Sequence, residues 1–137
     1  MSTKNTKRPE VARLPQWEGR TALVVDDSRT MRLEMSTLLR QLGFARVLEA
    51  EDGRAALQVL ERESVIDFLL TDLNMPVMDG VELLLEIERQ ESRRFCVAVM
   101  SGVDQSLLSA VREIAEGSEF VMAGILPKPV TAEALGQ

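Results

Sequence analysis

Apolar runs of strand length alternate along this chain with stretches in which apolar residues recur at helical spacing. Ala22-Leu23-Val24-Val25 is a continuous apolar run that stops at Asp26-Asp27. Met31, Met35, Leu38, Leu39 and Leu42 follow at helical spacing; Ser28 is placed as N-cap, and Gly43 suits the position just past the helix end. Val47-Leu48 centres a second, shorter strand, and Asp52 can cap a helix carrying Ala55, Ala56, Leu57, Val59 and Leu60. Ile66 to Leu70 predicts a third strand ending at Asp72. A loop through Asn74-Met75-Pro76-Val77-Met78-Asp79-Gly80 leads to a helix whose apolar face is marked by Val81, Leu84 and Leu85, with Glu88 in register. Phe95 to Met100 predicts a fourth strand ending at Ser101-Gly102. Asp104 caps a helix with Leu107, Leu108, Val111, Ile114 and Ala115, closed near Gly117. Val121 to Leu126 predicts a fifth strand, stopped by Pro127-Lys128-Pro129, and Thr131 can cap a last helix.

Strands alternating with helices predict an α/β fold with a doubly wound parallel sheet of five strands. Strands buried on both faces read as unbroken apolar runs, as the first, third, fourth and fifth do here. In such sheets ligands bind outside the carboxyl ends of the strands, where the winding direction reverses. Asp26 and Asp27, Asp72, Ser101 and Lys128 all lie at those ends.

Composition narrows the function. At 137 residues the chain is one domain by length, with 45% hydrophobic and 28% charged residues, ordinary for a globular protein. Residues 1–19 are polar, contain Pro9 and Pro15, and read as a tail or linker, with Trp17 as an anchor on the domain or a partner; residues 20–137 form the domain. The first twenty residues carry +3 and the remainder −9, so the body is acidic. That excludes direct nucleic-acid binding, which needs Lys and Arg to neutralise phosphates. No stretch approaches the about 18 apolar residues of a membrane span. The N-terminus lacks a signal-peptide core, so a cytoplasmic location is expected. The single cysteine, Cys96, sits in an apolar run and reads as a small buried hydrophobe; with no histidine in the chain it makes no zinc site. The absence of histidine also means that a phosphohistidine donor must come from outside.

Three carboxylates meeting at one sheet edge repel one another, and a hard divalent cation relieves that. Mg²⁺ takes a few carboxylate oxygens and completes its octahedron with waters and phosphate oxygens. Asp27 and Asp72 are candidate direct ligands; Asp26 would act directly or through water, and the backbone carbonyl of Asn74 is placed to complete the set. Asp72 is also a candidate nucleophile, since a carboxylate can accept a phosphoryl group as an acyl phosphate. Such transfer asks the protein mainly for positioning and charge neutralisation. Lys128 would supply charge, and the Ser101 hydroxyl a hydrogen bond. The Lys128–Pro129 bond is a candidate for the cis form, which would aim the ammonium back at the site.

Taken together, Leu23-Val24-Val25-Asp26-Asp27-Ser28, Leu70-Thr71-Asp72-Leu73-Asn74-Met75-Pro76-Val77-Met78-Asp79-Gly80, Met100-Ser101-Gly102 and Leu126-Pro127-Lys128-Pro129 resemble the response-regulator receiver (CheY-like) domains of two-component systems, over roughly residues 20–137. The resemblance implies a flavodoxin-like (βα)5 fold with strand order 2-1-3-4-5, and Gly80 as a structural glycine. It implies Asp72 as phosphoacceptor, Mg²⁺ held by the acidic residues, and a histidine kinase or phosphotransfer protein as donor. Ser101 matches the hydroxyl residue that moves toward the phosphoryl group, and Lys128 the family's lysine. It further implies an output domain in a longer protein, and a receiver homodimer through helices four and five. The chain is then a signalling domain rather than a metabolic enzyme.

Two departures stand out. The family's aromatic switch position falls on Ile125, so switching would be backbone or aliphatic repacking. Ser101 to Lys128 spans 27 positions, several more than usual, and the extra residues lie around 117–122. The stretch Ala123-Gly124-Ile125-Leu126-Pro127-Lys128-Pro129-Val130 is also similar, more weakly, to receivers joined to EAL-type cyclic-di-GMP phosphodiesterase domains. By length the last helix makes only about two turns before Gln137, which reads as a truncated helix with an output domain beyond it. Two rival functions are a degenerate receiver acting by contacts alone and a hydrolase with an aspartyl-phosphate intermediate. The hydrolase needs a second acid beside its nucleophile and a substrate-selecting cap; Leu73 and Asn74 supply no acid, and the pattern holds no cap.

Overall fold

The computed structural model describes residues 18–63, 65–73, 75–89, 96–101 and 121–127, with the backbone alone at 101 and 121–127. Trp17, Asn74, Phe95, Lys128, Pro129 and the helices expected after Asp104 and Thr131 lie outside the described residues. The elements are β1 (Thr21–Val25), α1 (Arg29–Leu42), β2 (Arg46–Ala50), α2 (Gly53–Arg62), β3 (Phe68–Asp72), α3 (Gly80–Arg89), β4 (Cys96–Ser101) and β5 (Val121–Pro127). They form one five-stranded parallel sheet in the order β2-β1-β3-β4-β5, as expected. Chain order reverses direction between β1 and β3, so the helices fall on both faces.

The core divides accordingly. On one face Leu23, Val25, Leu69, Val97 and Val99 pack with Ala56, Val59 and Leu60 of α2 and Leu83, Leu84 and Ile87 of α3. On the other, Ala22, Val24, Leu70, Ala98 and Met100 pack with Met35, Leu39 and Leu42 of α1, and Phe44 stacks on Phe68 with ring centroids 5.6 Å apart. Alternate residues of a strand point to opposite faces. Strands covered on both sides are therefore apolar at nearly every position; β1 is buried throughout, and only Thr21 at its start is polar. Each fully buried leucine here, Leu23 and Leu69 among them, contributes about 1.5–3 kcal/mol.

Both expected helix caps form. The Ser28 hydroxyl accepts from the Met31 N–H at 3.2 Å and the Asp52 carboxylate from the Ala55 N–H at 2.8 Å. Gly43 ends α1 at φ 121°, with Gly43 N–H donating to Arg40 and Phe44 N–H to Leu39, the two bonds of a Schellman turn.

Four local expectations are corrected. β2 is as long as β1, because an edge strand needs an apolar residue only where a helix covers it; Arg46 and Glu49 are exposed within it. β3 begins at Phe68 rather than Ile66, with Asp67 as its lead-in: its N–H donates to Thr21 at 2.9 Å, its carbonyl accepts from Cys96 N–H at 3.1 Å, and its carboxylate accepts from Thr21 N–H at 2.9 Å and Arg20 at 3.4 Å. In α3 the buried residues are Leu83, Leu84 and Ile87, whereas Leu85 is 42% exposed and Val81 partly buried. Cys96 is half-buried rather than enclosed, and burial pushes its thiol pKa up.

Candidate functional site

β1 and β3 are neighbours with Val25 opposite Thr71, so the residues that follow, Asp26 and Asp72, emerge side by side. Asp26, Asp27 and Asp72 each offer a carboxylate oxygen, and these oxygens lie within 4.8 Å of one another. Asp26 and Asp72 are buried, at 1% and 3% exposure, and Asp27 is exposed. Like charges at that spacing repel, most strongly between the buried Asp26 and Asp72, whereas solvent screens the exposed Asp27. A cation held among the three groups would relieve that repulsion. The donors are all carboxylate oxygens, which select a hard divalent ion over zinc or copper. Their small number suits Mg²⁺, which keeps several positions for water and phosphate. The residues present therefore fit the expected ion.

The β1–α1 turn is tightly held. Asp26 N–H extends the strand pairing by one residue, to Ala50 at 3.1 Å. Its Oδ1 accepts from the Ser28 N–H at 2.8 Å, and its main-chain carbonyl accepts from Arg32 Nη1 at 2.8 Å. Ser28 thus serves twice: its N–H braces Asp26 while its hydroxyl starts α1.

The loop after Asp72 folds back on itself. Met78 N–H donates to Pro76 at 2.7 Å across Val77, whose φ is 68°. This is a three-residue γ-turn of the strained, positive-φ kind, held on a β-branched residue. Asp79 and Glu82 then cap α3 reciprocally, Glu82 N–H to Asp79 at 2.9 Å and Asp79 N–H to Glu82 at 3.2 Å. Gly80 N–H donates to Leu73 at 3.0 Å, and a Cβ at Gly80 would collide with the Asp72 carbonyl and the Leu73 Cα. Gly53 at the start of α2 is equally confined: its N–H donates to the Met78 carbonyl at 2.8 Å, and a Cβ there would lie 2.7 Å from that oxygen and from Met78 Cγ.

The neighbouring strands complete the edge. Met100 pairs with Asp72, so the Ser101 backbone is the next residue at the same end, opposite Pro127. Ile125 pairs with Val99, two positions back from that edge. The β4–β5 register shifts between Val97 and Ala98, whose partners are Met122 and Gly124, leaving Ala123 as the extra residue. The structure thus brings the three acids together and sets Ser101 beside them on the backbone. Asn74 and Lys128 lie outside the described residues.

Comparison with known proteins agrees with this arrangement. Residues 22–137 match the family model of the response regulator receiver domain. The chain belongs to the response-regulator receiver domain family. The receiver is 40% identical over 114 residues to chemotaxis protein CheY-3 of Vibrio cholerae, covering 82% of this chain and 83% of that protein. It is 37% identical over 113 residues to chemotaxis protein CheY of Pseudomonas aeruginosa, covering 82% and 87%. Among solved structures, a response regulator receiver domain protein from Clostridium thermocellum matches with TM-score 0.71 and 30% identity, over 85% of this chain and 88% of that one. This receiver is accordingly a CheY-like signalling domain of two-component systems, in a family that accepts phosphoryl groups, binds Mg²⁺ and contacts histidine kinases and output domains. Among the described residues, no helix of the receiver is long and apolar enough to cross a membrane.

Sequence reading missed Arg32, Glu49 and Ser36. Arg32 Nε donates to Glu49 at 3.2 Å, and the Ser36 hydroxyl donates to the other Glu49 oxygen at 3.2 Å. Seventeen residues separate Arg32 from Glu49, and each alone reads as a solvated surface charge. The Asp79–Glu82 cap did have a signal, the acid-x-x-Glu spacing ahead of an apolar run.

Proposed function

We propose that Asp72 is the phosphoacceptor of this receiver and that Asp26, Asp27 and Asp72 hold the Mg²⁺ it needs. The observation that carries the reading is the meeting of three carboxylate oxygens within 4.8 Å at the carboxyl edge of the sheet. Bound there, Mg²⁺ would neutralise the carboxylates and the oxygens of the incoming phosphoryl group. An Asp72 carboxylate oxygen attacks phosphorus, a P–O bond forms, and the P–N bond of a partner's phosphohistidine breaks. A phosphohistidine donor must belong to another protein, because the chain has no histidine. The main-chain carbonyl of Asn74 is proposed as a further ligand. Lys128 and the Ser101 hydroxyl are proposed as partners of the transferred oxygens, with Pro129 shaping the turn that aims Lys128. Burial of Asp72 limits the approach of water to the acyl phosphate.

The new dianion would bias the segment carrying Ser101 and Ile125 between two arrangements and so alter contacts with an output domain or a second receiver. An EAL-type cyclic-di-GMP phosphodiesterase is one such output. The close approach of Gly80 to the Asp72–Leu73 backbone supports its structural part, since it keeps the acceptor strand against α3.

The test is intact mass after incubation with acetyl phosphate, with and without Mg²⁺, on the chain and on Asp72→Asn. One Mg²⁺-dependent phosphoryl adduct, absent from the variant, is expected. No adduct on a folded protein would shift the receiver to signalling by contact alone; an adduct persisting in Asp72→Asn would move the acceptor elsewhere.

A further inference from the structure

We propose that Arg32 is a positioning residue for the metal ligands, acting through the main-chain carbonyl of Asp26 and oriented by Glu49. The inference rests on the Mg²⁺ reading above. Arg32 lies one turn into α1, its N–H bonded to the Ser28 carbonyl at 2.9 Å. Its side chain turns back across the start of the helix, and Nη1 reaches the Asp26 carbonyl at 2.8 Å. That carbonyl belongs to the peptide joining the two adjacent ligands, so its orientation sets where both carboxylates point. The strand ladder fixes the N–H of Asp26 and Ser28 fixes one carboxylate oxygen; Arg32 fixes the third attachment, at the one place where β1 has stopped pairing.

Glu49 keeps the guanidinium in that role. It sits on β2, on the sheet face covered by α1, and accepts from Arg32 Nε with one oxygen and from Ser36 with the other. The pair is only partly buried, at 16% and 40% exposure, and such ion pairs add little to stability by themselves. Their geometric consequence is larger. Both hydrogen bonds of Arg32 go to a carbonyl and to Glu49, so a cation beside the acidic cluster is directed away from competing for it. Groups that orient first ligands in this way commonly change metal affinity by about 10–100-fold.

Charge and positioning predict opposite signs, which makes the idea testable. If Arg32 acted only through its positive charge, removing it would tighten Mg²⁺ binding to the acids. If it positions them, removing it weakens binding. The experiment is Mg²⁺ titration calorimetry on the full 137-residue chain, folded by circular dichroism, with Arg32→Met, Arg32→Lys, Glu49→Gln and Arg32→Met/Glu49→Gln. Methionine keeps the aliphatic stem without donors, and lysine keeps the charge without the two-pronged fork. Expected are about tenfold weaker binding for Arg32→Met, a smaller loss for Arg32→Lys, and a loss for Glu49→Gln that vanishes in the Arg32→Met background.

Unchanged or tighter binding by Arg32→Met overturns the proposal. If that variant does not fold, wild-type affinity in Arg32→Lys overturns it instead. Fully additive losses in the double variant overturn the part given to Glu49. A wild-type chain that binds no Mg²⁺ defeats the metal reading itself, and this inference with it.

Discussion

Where the strands begin, Arg20 meets Asp67 at 3.4 Å and Arg46 meets Glu63 at 3.3 Å, and the Phe44–Phe68 stack closes the core beneath them. Where they end, Asp26, Asp27 and Asp72 crowd three like charges together, and Val77 holds a strained turn a few residues on. The first edge pairs opposite charges and leaves its backbone relaxed. The second stores repulsion and strain, and can do so because the same sheet, packed on both faces, holds the strand ends in register. Stability and function are thus drawn from opposite ends of the same strands.

The largest expected effect is at the strained edge. Gly80→Ala pushes a methyl into the Asp72 carbonyl and the Leu73 Cα, both backbone atoms that cannot rotate away. A loss of about 3 kcal/mol is expected by urea unfolding, the upper range for overpacking; a neutral result would show the acidic edge to be softer than its geometry.

At the relaxed edge, Asp67→Ala strands the buried Thr21 N–H and frees Arg20. A loss of about 1–2 kcal/mol is expected, with Mg²⁺ affinity unchanged. A change in affinity would mean that the two edges are coupled through β1 and β3.

The smallest effect has the opposite sign. Asp27→Asn removes one exposed member of the acidic cluster. In EDTA the variant should be more stable than wild type by about 0.5 kcal/mol, given solvent screening. With Mg²⁺ at a hundred times its Kd, wild type should gain about 2.7 kcal/mol and overtake it. Thermal melts in both buffers check the crossing; equal melting in EDTA would mean that the carboxylates do not strain the fold.

The relaxed core was the more legible part in the sequence, and the reason is physical. Burial on both faces forces unbroken apolar runs, which is why Leu23 to Val25 and the residues before Asp72 read as strands. The Ser28, Gly43 and Asp52 caps read correctly because each depends on local backbone bonds. The convergence of Asp26, Asp27 and Asp72 was readable once the strands were taken as parallel neighbours. What escaped depends on distant contacts. Three consecutive leucines, 83 to 85, leave the face of α3 ambiguous until the sheet chooses Leu83 and Leu84. Arg32 and Glu49 look like two solvated charges until β2 is laid beside β1. A β-branched residue at positive φ, as at Val77, is the opposite of what turn propensity suggests.

The contact between Gly53 and Met78 constrains how this sequence can vary. Alanine would ordinarily favour a helix over glycine by about 1 kcal/mol, yet at position 53 it would meet both the side chain and the carbonyl of Met78. Trimming residue 78 would clear Cγ but leave the oxygen, so no replacement there can act as a suppressor by size alone. Compensation would have to reshape the turn at Val77 or change the length of the loop, so residue 53 and that loop are expected to vary together.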